Sequence, residues 1–547
     1  MSQSTVQARV IVDELVRCGV RHLVACPGSR NAALSMAVFE AATAGRLTLH
    51  VRIDERSAGF LALGLAKAGH GLAGVFCTSG TAVANLHPAV LEAHHSATPL
   101  LVLTADRPAE LHHTGANQTI EQHNLYGVAA PCVEFPVDGG NAVWRSAVCR
   151  AVALAAAGPV QVNVPFREPL VPSGDEDQPA GRPDDAPWTR WSAPISSGIG
   201  AVDLTARTVL VVGDPVGQPD RITAASAAAA EAGWPVIAEP TGLSAAVAGG
   251  ASVLTNGSLL VNTGPTPQPD EVVVVGRPTL SRGVGALLRA AGRVRVLATG
   301  PDWTDPQRLA AEVVDHIADV PPPDPLWLAE WLVANRAAGA AVDRILAGQP
   351  WPTGAHIARD LIAALPAHAT LFLGSSNPVR YVDLFGRPGA DLRIVANRGV
   401  AGIDGSVSTA AGLALGNQEP GYALLGDLTF LHDTNGLLIG PTEPRPDLTI
   451  VVLNDDGGGI FTLLEQGAPE HAASFERMFG TPHGTDLAAL CAAHKVPHLL
   501  VSDRDKLRAA LAPAPGPRLI EIRVDRGGLR DWQARLFHAV AESLAVA

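Results

Sequence analysis

The sequence predicts an α/β protein of three doubly wound parallel-sheet domains. Three observations predict it. Short β-branched runs alternate with Ala- and Leu-rich helical stretches along the whole 547-residue chain, which is too long for a single core. Two segments rich in Pro, Gly and acids interrupt that alternation. Hydrophobic residues make up 47% of the chain and aromatics only 4%, so small aliphatic side chains must fill the core, as tight α/β layers require.

The interruptions lie at 172–187 (PSGDEDQPAGRPDDAP) and 319–325 (DVPPPDP). Neither sustains a helix or a central strand. They divide the chain into 1–185, 186–325 and 326–547. In the first part, 48–53, 74–77, 100–104 and 160–164 read as strands. In the second, 208–212, 272–275 and 294–298 do. In the third, 370–373, 392–396, 422–425, 448–453 and 519–524 do. Continuous apolar strands separated by helices imply parallel sheets covered on both faces. No short sequence repeat stands out. Such sheets bind ligands at the carboxyl ends of their strands, so the residues just after each strand are the candidates.

The net charge of −13 repels phosphate backbones and argues against a nucleic-acid partner. Anionic substrates would need local arginines against that field. Six scattered cysteines without a C-x-x-C pattern suit reduced thiols in the cytoplasm. The polar N-terminus has no signal-peptide core. No apolar run approaches the roughly 20 residues of a membrane helix, so no membrane partner is expected.

The clearest chemical signal lies in the third part. The strand at 422–425 ends in Gly426-Asp427, and a helical stretch follows over 430–438. The next strand ends in Asn454, followed by Asp455, Asp456 and Gly457-Gly458-Gly459. One βαβ unit separates Asp427 from Asn454, which can bring both to the same edge of neighbouring strands. Oxygen ligands of this kind suit Mg²⁺ or Mn²⁺, and the glycines let backbone N–H groups approach an anion. Alone, Asp427 would be a helix cap and the glycines a turn. The combination favours a metal site.

This pattern resembles the cofactor motif of the thiamine diphosphate enzymes. The resemblance implies thiamine diphosphate bound through a divalent cation, with Asp427, Asn454 and the main-chain carbonyl of Asp456 as ligands. Leu428 stands where that motif usually has Gly, and Asp455 and Asp456 interrupt the usual Asn-x-Gly-Gly. Both acidic side chains are expected to point away from the diphosphate or toward the metal shell. The resemblance also implies a carboxyl group against the aminopyrimidine ring, and Glu55, between a strand and a helix over 58–68, takes that role. In this class the pyrimidine and the diphosphate sit on different domains, commonly across a dimer interface.

Within the class the chain resembles the SEPHCHC synthases of menaquinone biosynthesis. The shared motifs are CPGSR (26–30), DER (54–56), TSGTAVANL (78–86), TADRP (104–108) and GANQ (115–118). The third part adds GSSNPVR (374–380), NRGVAGIDG (397–405), GDLTFLHD (426–433) and GGGIF (457–461). The middle part matches only weakly. The resemblance implies decarboxylation of 2-oxoglutarate and conjugate addition of the resulting succinyl carbanion to isochorismate, in a cytoplasmic dimer or tetramer. It places Pro27, Glu55, Thr81, Ser376, Ile403, Gly426, Asp427, Leu428, Asn454, Gly458, Gly459 and Ile460 at the cofactor. Arg380 and Arg398, with Ser376, would hold the 2-oxoglutarate chain. Ser29, Arg30, Arg107, Asn117 and Gln118 would face isochorismate, with Phe461 as an apolar wall. Glu55, Gln118, Arg380 and Arg398 are the expected catalytic set. Both substrates are dianions, and the planar fork of Arg grips a carboxylate in two places.

Two competing readings remain. His112-His113 resembles the paired histidines of simple 2-oxoacid decarboxylases, although the pair precedes the synthase-like 115–118. A binding protein that lost catalysis is opposed by the joint presence of Glu55, Asp427 and Asn454. The middle-domain turn at 212–214 is too short to argue for a nucleotide, and no flavin site is supported.

Overall fold

Three all-parallel six-stranded sheets organise the computed structural model, which describes residues 2–546 apart from 70, 173, 175–178, 193–198, 299–302 and 390. The first sheet runs, in spatial order, Thr48–Val51, His22–Ala25, Ala73–Cys77, Leu100–Asp106, Pro159–Pro165, Cys132–Glu134. The third runs Arg393–Ala396, Thr370–Leu373, Gly421–Gly426, Leu448–Asn454, Arg518–Arg523, His498–Leu500. Numbered within each domain, both have the order 2-1-3-4-6-5. The repeat absent from the sequence is therefore present in the topology. The central sheet, Ser252–Val253, Pro235–Ala238, Thr208–Val212, Glu271–Val275, Arg293–Leu297, Ala310–Val314, has the other common order, 3-2-1-4-5-6.

The central strands are buried along their length, as their continuous apolar character requires; Leu100–Asp106 and Pro159–Pro165 are buried at every residue. The strands the sequence did not suggest are mostly short or at sheet edges, such as Cys132–Glu134, Ser252–Val253 and His498–Leu500. The strand expected over 48–53 stops at Val51, with Ile53 exposed. A two-stranded ladder, Gly200–Ala201 with His316–Ile317, joins the two ends of the central domain.

The first linker is not a free tether. Its described part docks on the first domain, where Arg145 donates to the Pro179 carbonyl, and Trp188 N–H, just after the linker, donates to Glu14 Oε1. The second leads into helix Pro325–Ala347, capped by Asp324. Trp327 and Trp331 of that helix pack with Val209, Val272, Leu536 and Val540, so this helix and the C-terminal helix Leu529–Val546 cover the central sheet.

Helix Glu55–Lys67 of the first domain packs against helix Ser406–Asn417 of the third, each following the second strand of its own sheet. The crossing depends on glycine. A Cβ on Gly64 would lie 2.2 Å from the Thr409 carbonyl oxygen, and one on Gly412 would lie 2.2 Å from that of Leu61. One buried cluster, including Phe60, Leu61, Leu65, Val407, Ala411 and Ala414, runs through both domains. At roughly 25 cal/mol per Å² of apolar surface, such a seam favours one fixed arrangement of the two sheets.

Candidate active site

The third sheet assembles the acidic constellation at its carboxyl edge. Strands Gly421–Gly426 and Leu448–Asn454 are parallel neighbours in register, with Gly426 opposite Leu453. Asp427 and Asn454 therefore leave adjacent strands side by side. Both side chains reach the same turn: Asp456 N–H donates to Asn454 Oδ1 at 3.1 Å and Gly457 N–H to Asp427 Oδ2 at 2.9 Å. Leu428 N–H donates to Asp427 Oδ1 at 2.6 Å. Burial pushes the Asp427 carboxyl above its ordinary value, with those N–H groups opposing the shift. A buried carboxylate beside an amide oxygen fits a hard dication that would neutralise it.

Asn454 is held from behind. Its Nδ2 donates to Glu521 Oε1 at 2.8 Å, which leaves its oxygen on the site side. Glu521 is itself held by Arg523 and by His498 at 2.8 Å. Gly457 has φ 145°, and a Cβ there would lie 1.9 Å from the Gly480 carbonyl oxygen, so only glycine closes this turn.

The two intruding acids behave differently. Asp456 is exposed, and its Oδ1 accepts from His483 N–H at 3.1 Å and Gly484 N–H at 2.9 Å, outside the glycine turn. Asp455 folds back beneath the turn toward the backbone N–H groups of Gly457 and Gly459. Burial, with Asp427 nearby, pushes its carboxyl up to about 7. The helix expected over 430–438 begins at Asp427 and ends at His432, followed by a 3-10 turn over Thr434–Leu437. Gly426, Leu428 and Ile460 are half-buried around this edge, whereas Gly458 and Gly459 are buried. Phe461 stacks at a tilt on Phe479, 5.9 Å between centroids.

Glu55 is the first residue of helix Glu55–Lys67, with Asp54 as its N-cap accepting from Arg56 and Ser57 N–H. Its carboxylate is half-buried and has no hydrogen-bond or ion-pair partner among the described residues. Its neighbours face the third domain. Arg56 donates to the His432 carbonyl at 2.7 Å, Ser57 to Asp433 at 3.1 Å, and Asn435 to Asp54 at 2.7 Å. Within one chain, then, this junction meets the far end of the short helix that Asp427 begins.

The four arginines form two pairs, not one cluster. Arg30 and Arg107 are buried in the first domain, and burial, with the Arg107 charge nearby, lowers the pKa of Arg30. Arg30 donates to the Phe166 carbonyl and Arg107 to that of Asn117. Arg30 Nε and Arg107 Nη1 are left without a partner among the described residues. Gln118, at φ 56°, donates to the Ser79 carbonyl at 2.9 Å beside Thr78. Pro27, Ser29, Thr81 and Asn117 are exposed around this edge.

Arg380 and Arg398 form the second pair, where the third and central domains meet. Arg398 is buried and donates to Thr279 Oγ1 at 2.8 and 3.1 Å, while Arg380 donates to the Ser376 carbonyl at 2.7 Å. Burial lowers the pKa of both guanidinium groups, and the neighbouring Glu239 opposes this. Glu239 accepts from Thr279 and Leu280 N–H, and burial pushes its carboxyl up to about 8. Ser376 has φ 73° at the start of helix Asn377–Phe385, and a Cβ on Gly459 would lie 3.5 Å from Asn377 Nδ2. This pair thus adjoins the Asp427 edge. Ile403 is half-buried, its carbonyl accepting from Ser406. His112 lies beside the first pair, Nε2 2.9 Å from the Arg107 carbonyl, and His113 is exposed.

Sequence reasoning missed three anchors. Glu92 is buried and accepts from Gly399 and Val400 N–H, both at 2.8 Å, which fixes the loop carrying Arg398. Glu521 was signalled only by being a carboxylate inside the apolar run 519–522. His483, between Pro482 and Gly484, reaches Asp427 and had no local pattern to reveal it.

These edges carry the two halves of one enzyme class. Residues 6–125 match the family model "Thiamine pyrophosphate enzyme, N-terminal TPP binding domain", and residues 383–522 match "Thiamine pyrophosphate enzyme, C-terminal TPP binding domain". The chain is a thiamine diphosphate enzyme. It is 52% identical to a 2-succinyl-5-enolpyruvyl-6-hydroxy-3-cyclohexene-1-carboxylate synthase of Saccharopolyspora erythraea, with 100% of both chains covered. Synthases of the same name from Nocardia farcinica (47%; 99% of this chain, 100% of the relative) and Mycobacterium marinum (46%; 98% and 99%) are also similar. The chain belongs to this synthase family, and menaquinone biosynthesis is its setting.

Proposed function

We propose that the protein takes 2-oxoglutarate and isochorismate, releases CO₂ and joins the remaining succinyl unit to the ring alkene, taking up one proton. Thiamine diphosphate, when bound, supplies the electron sink for the decarboxylation. Asp427, Asn454 and the Asp456 carbonyl would hold Mg²⁺ or Mn²⁺ at its diphosphate end. Gly426, Leu428, Ser376, Ile403 and 458–460 would line it, with Pro27 and Thr81 at the pyrimidine end. Glu55 would hold a proton against the pyrimidine ring, and its lack of a partner among the described residues supports a role reserved for a ligand.

The observation that carries the substrate reading is the pairing of arginines at strand ends on an acidic protein. Each pair suits one dianion. Arg380 and Arg398, beside Ser376 and the Asp427 edge, suit 2-oxoglutarate. Arg30 and Arg107, with Ser29, Asn117 and Gln118, suit isochorismate, and Phe461 offers the apolar wall. Closure of such a site excludes water, which favours loss of charge as CO₂ leaves.

The division into a pyrimidine-binding unit (1–185), a central unit (186–325) and a diphosphate-binding unit (326–547) follows the two linkers. The site is completed in a dimer or tetramer, with Glu55 from one copy facing Asp427 of another, in the cytoplasm. Among the described residues no helix is long and apolar enough to cross a membrane. The test is direct. With thiamine diphosphate, Mg²⁺ and 2-oxoglutarate, isochorismate absorbance should fall as CO₂ is released. Release of CO₂ at the same rate without isochorismate would support simple decarboxylation instead.

A further inference from the structure

We propose that His483 is a positioning residue that clamps Asp427 for the metal from outside the coordination shell. The inference rests on the reading of Asp427 as a metal ligand. His483 lies in the loop after the turn Glu476–Gly480, and that loop folds back over the glycine turn: Gly458 N–H donates to the Gly480 carbonyl at 2.8 Å.

The ring has two different partners. Nδ1 accepts from Thr485 N–H at 2.9 Å, so the ring proton sits on Nε2. Nε2 lies 3.2 Å from Asp427 Oδ2 and 3.6 Å from Asp456 Oδ1. With Nδ1 taken up by that N–H, Nε2 is the ring atom turned to the Asp427 carboxylate. The main-chain N–H groups of His483 and Gly484 both donate to Asp456 Oδ1. The loop therefore grips Asp427 through the ring and Asp456 through the backbone.

Orientation is what a metal carboxylate needs. Asp427 has two oxygens, and Oδ2 is engaged by both Gly457 N–H and the His483 ring. Leu428 N–H holds Oδ1, so the ring is one of three anchors and the one supplied by a side chain; removing it loosens the carboxylate and weakens the cation site, by about 10- to 100-fold for anchors of this kind. Asn454 has the matching device in Glu521. Each side-chain ligand is then held by one polar side chain from a different element, buried Glu521 for Asn454 and half-buried His483 for Asp427.

Two substitutions separate the ring's roles. His483→Asn keeps an oxygen near the Nδ1 position for Thr485 N–H but cannot reach Asp427. His483→Gln places an N–H near the Nε2 position and gives up the Thr485 contact. The probe is Mn²⁺ added to the metal-free full-length protein with thiamine diphosphate, read by loss of the free-ion electron paramagnetic resonance signal. His483→Asn is expected to weaken Mn²⁺ binding about 10- to 100-fold, while His483→Gln stays close to the parent. Both should keep the parent's melting temperature without metal. Parent-like Mn²⁺ binding by His483→Asn would overturn the proposal. So would equal weakening of both variants with a lowered metal-free melting temperature, the mark of a purely structural loop residue. Asp427→Asn in the same titration guards the underlying reading: if it binds Mn²⁺ as the parent does, Asp427 is not a ligand, and the clamp falls with it.

Discussion

The first and third sheets share the strand order 2-1-3-4-6-5 but carry different chemistry at matching strand ends. After strand 1, the first has Ser29 and Arg30 and the third Ser376 and Arg380. After strand 2, the first has Glu55 and the third Arg398. After strand 3, the first has Thr78 to Thr81 and the third Asp427. After strand 4, the first has Arg107 and the third the glycine turn 457–459. The helices following strand 2 in each then pack on one another through Gly64 and Gly412. Strand order thus fixes where chemistry can occur, and the loops decide which: in the proposed function, proton handling on one sheet, cation and diphosphate on the other.

The comparison breaks first at its acidic residues. Glu55→Gln and Asp427→Asn should each cut turnover by about 100- to 10,000-fold while circular dichroism stays unchanged, the range for losing a positioned acid–base or charge-binding group. They should differ in one respect. Asp427→Asn loses Mg²⁺ dependence of cofactor binding, and Glu55→Gln retains it, as calorimetry of thiamine diphosphate would report. A Glu55→Gln variant with full activity would remove the first sheet from the chemistry.

The arginine pairs sharpen the division of labour. Arg398→Lys keeps the charge and loses the fork, which should raise the KM for 2-oxoglutarate about tenfold or more and leave that for isochorismate near the parent value. Arg107→Lys should do the reverse. A crossed pattern in steady-state kinetics would mean that the sheets do not each serve one substrate. Because Arg398 also bonds Thr279, Thr279→Val should produce a smaller shift of the same sign.

The seam between the sheets is the next target. Gly64→Val places a side chain against the Thr409 carbonyl, and overpacking of this kind costs about 1–3 kcal/mol. The melting temperature should fall by a few degrees, with lost activity following lost fold.

The smallest effect is a pH slope where the third sheet meets the central domain. Burial raises the carboxyls of Glu239, to about 8, and Asp383, to about 7. The native state therefore binds more protons than the unfolded one. Stability should be fullest below the ordinary carboxylate range and decline as pH rises toward 8. Glu239→Gln should flatten that decline in melts between pH 5 and 8.5.

Much of this was legible in the sequence. The central strands of all three sheets are apolar runs such as Val272 to Val275, and Gly426-Asp427 with Asn454 marked the third sheet's edge by spacing alone. What was not legible depends on contacts far apart in the chain. His22–Ala25 is short and begins with a histidine, so its place inside the sheet, next to the edge strand, is set by its neighbours rather than by its own pattern. Glu92 anchors the Arg398 loop across the domain boundary. The pairing of Arg30 with Arg107 and of Arg380 with Arg398 depends on how the loops fold at those strand ends, which motifs do not encode.

Mixing two inactive variants tests most directly whether one site is built from both sheets of different copies. Glu55→Gln and Asp427→Asn chains, co-expressed with separate tags, form mixed dimers in which one of the two sites has both residues intact. Activity should return in the doubly tagged fraction, to about half the parent's per dimer if the sites are independent. No recovery in that fraction, with dimers confirmed by mass, would contradict a site shared between copies.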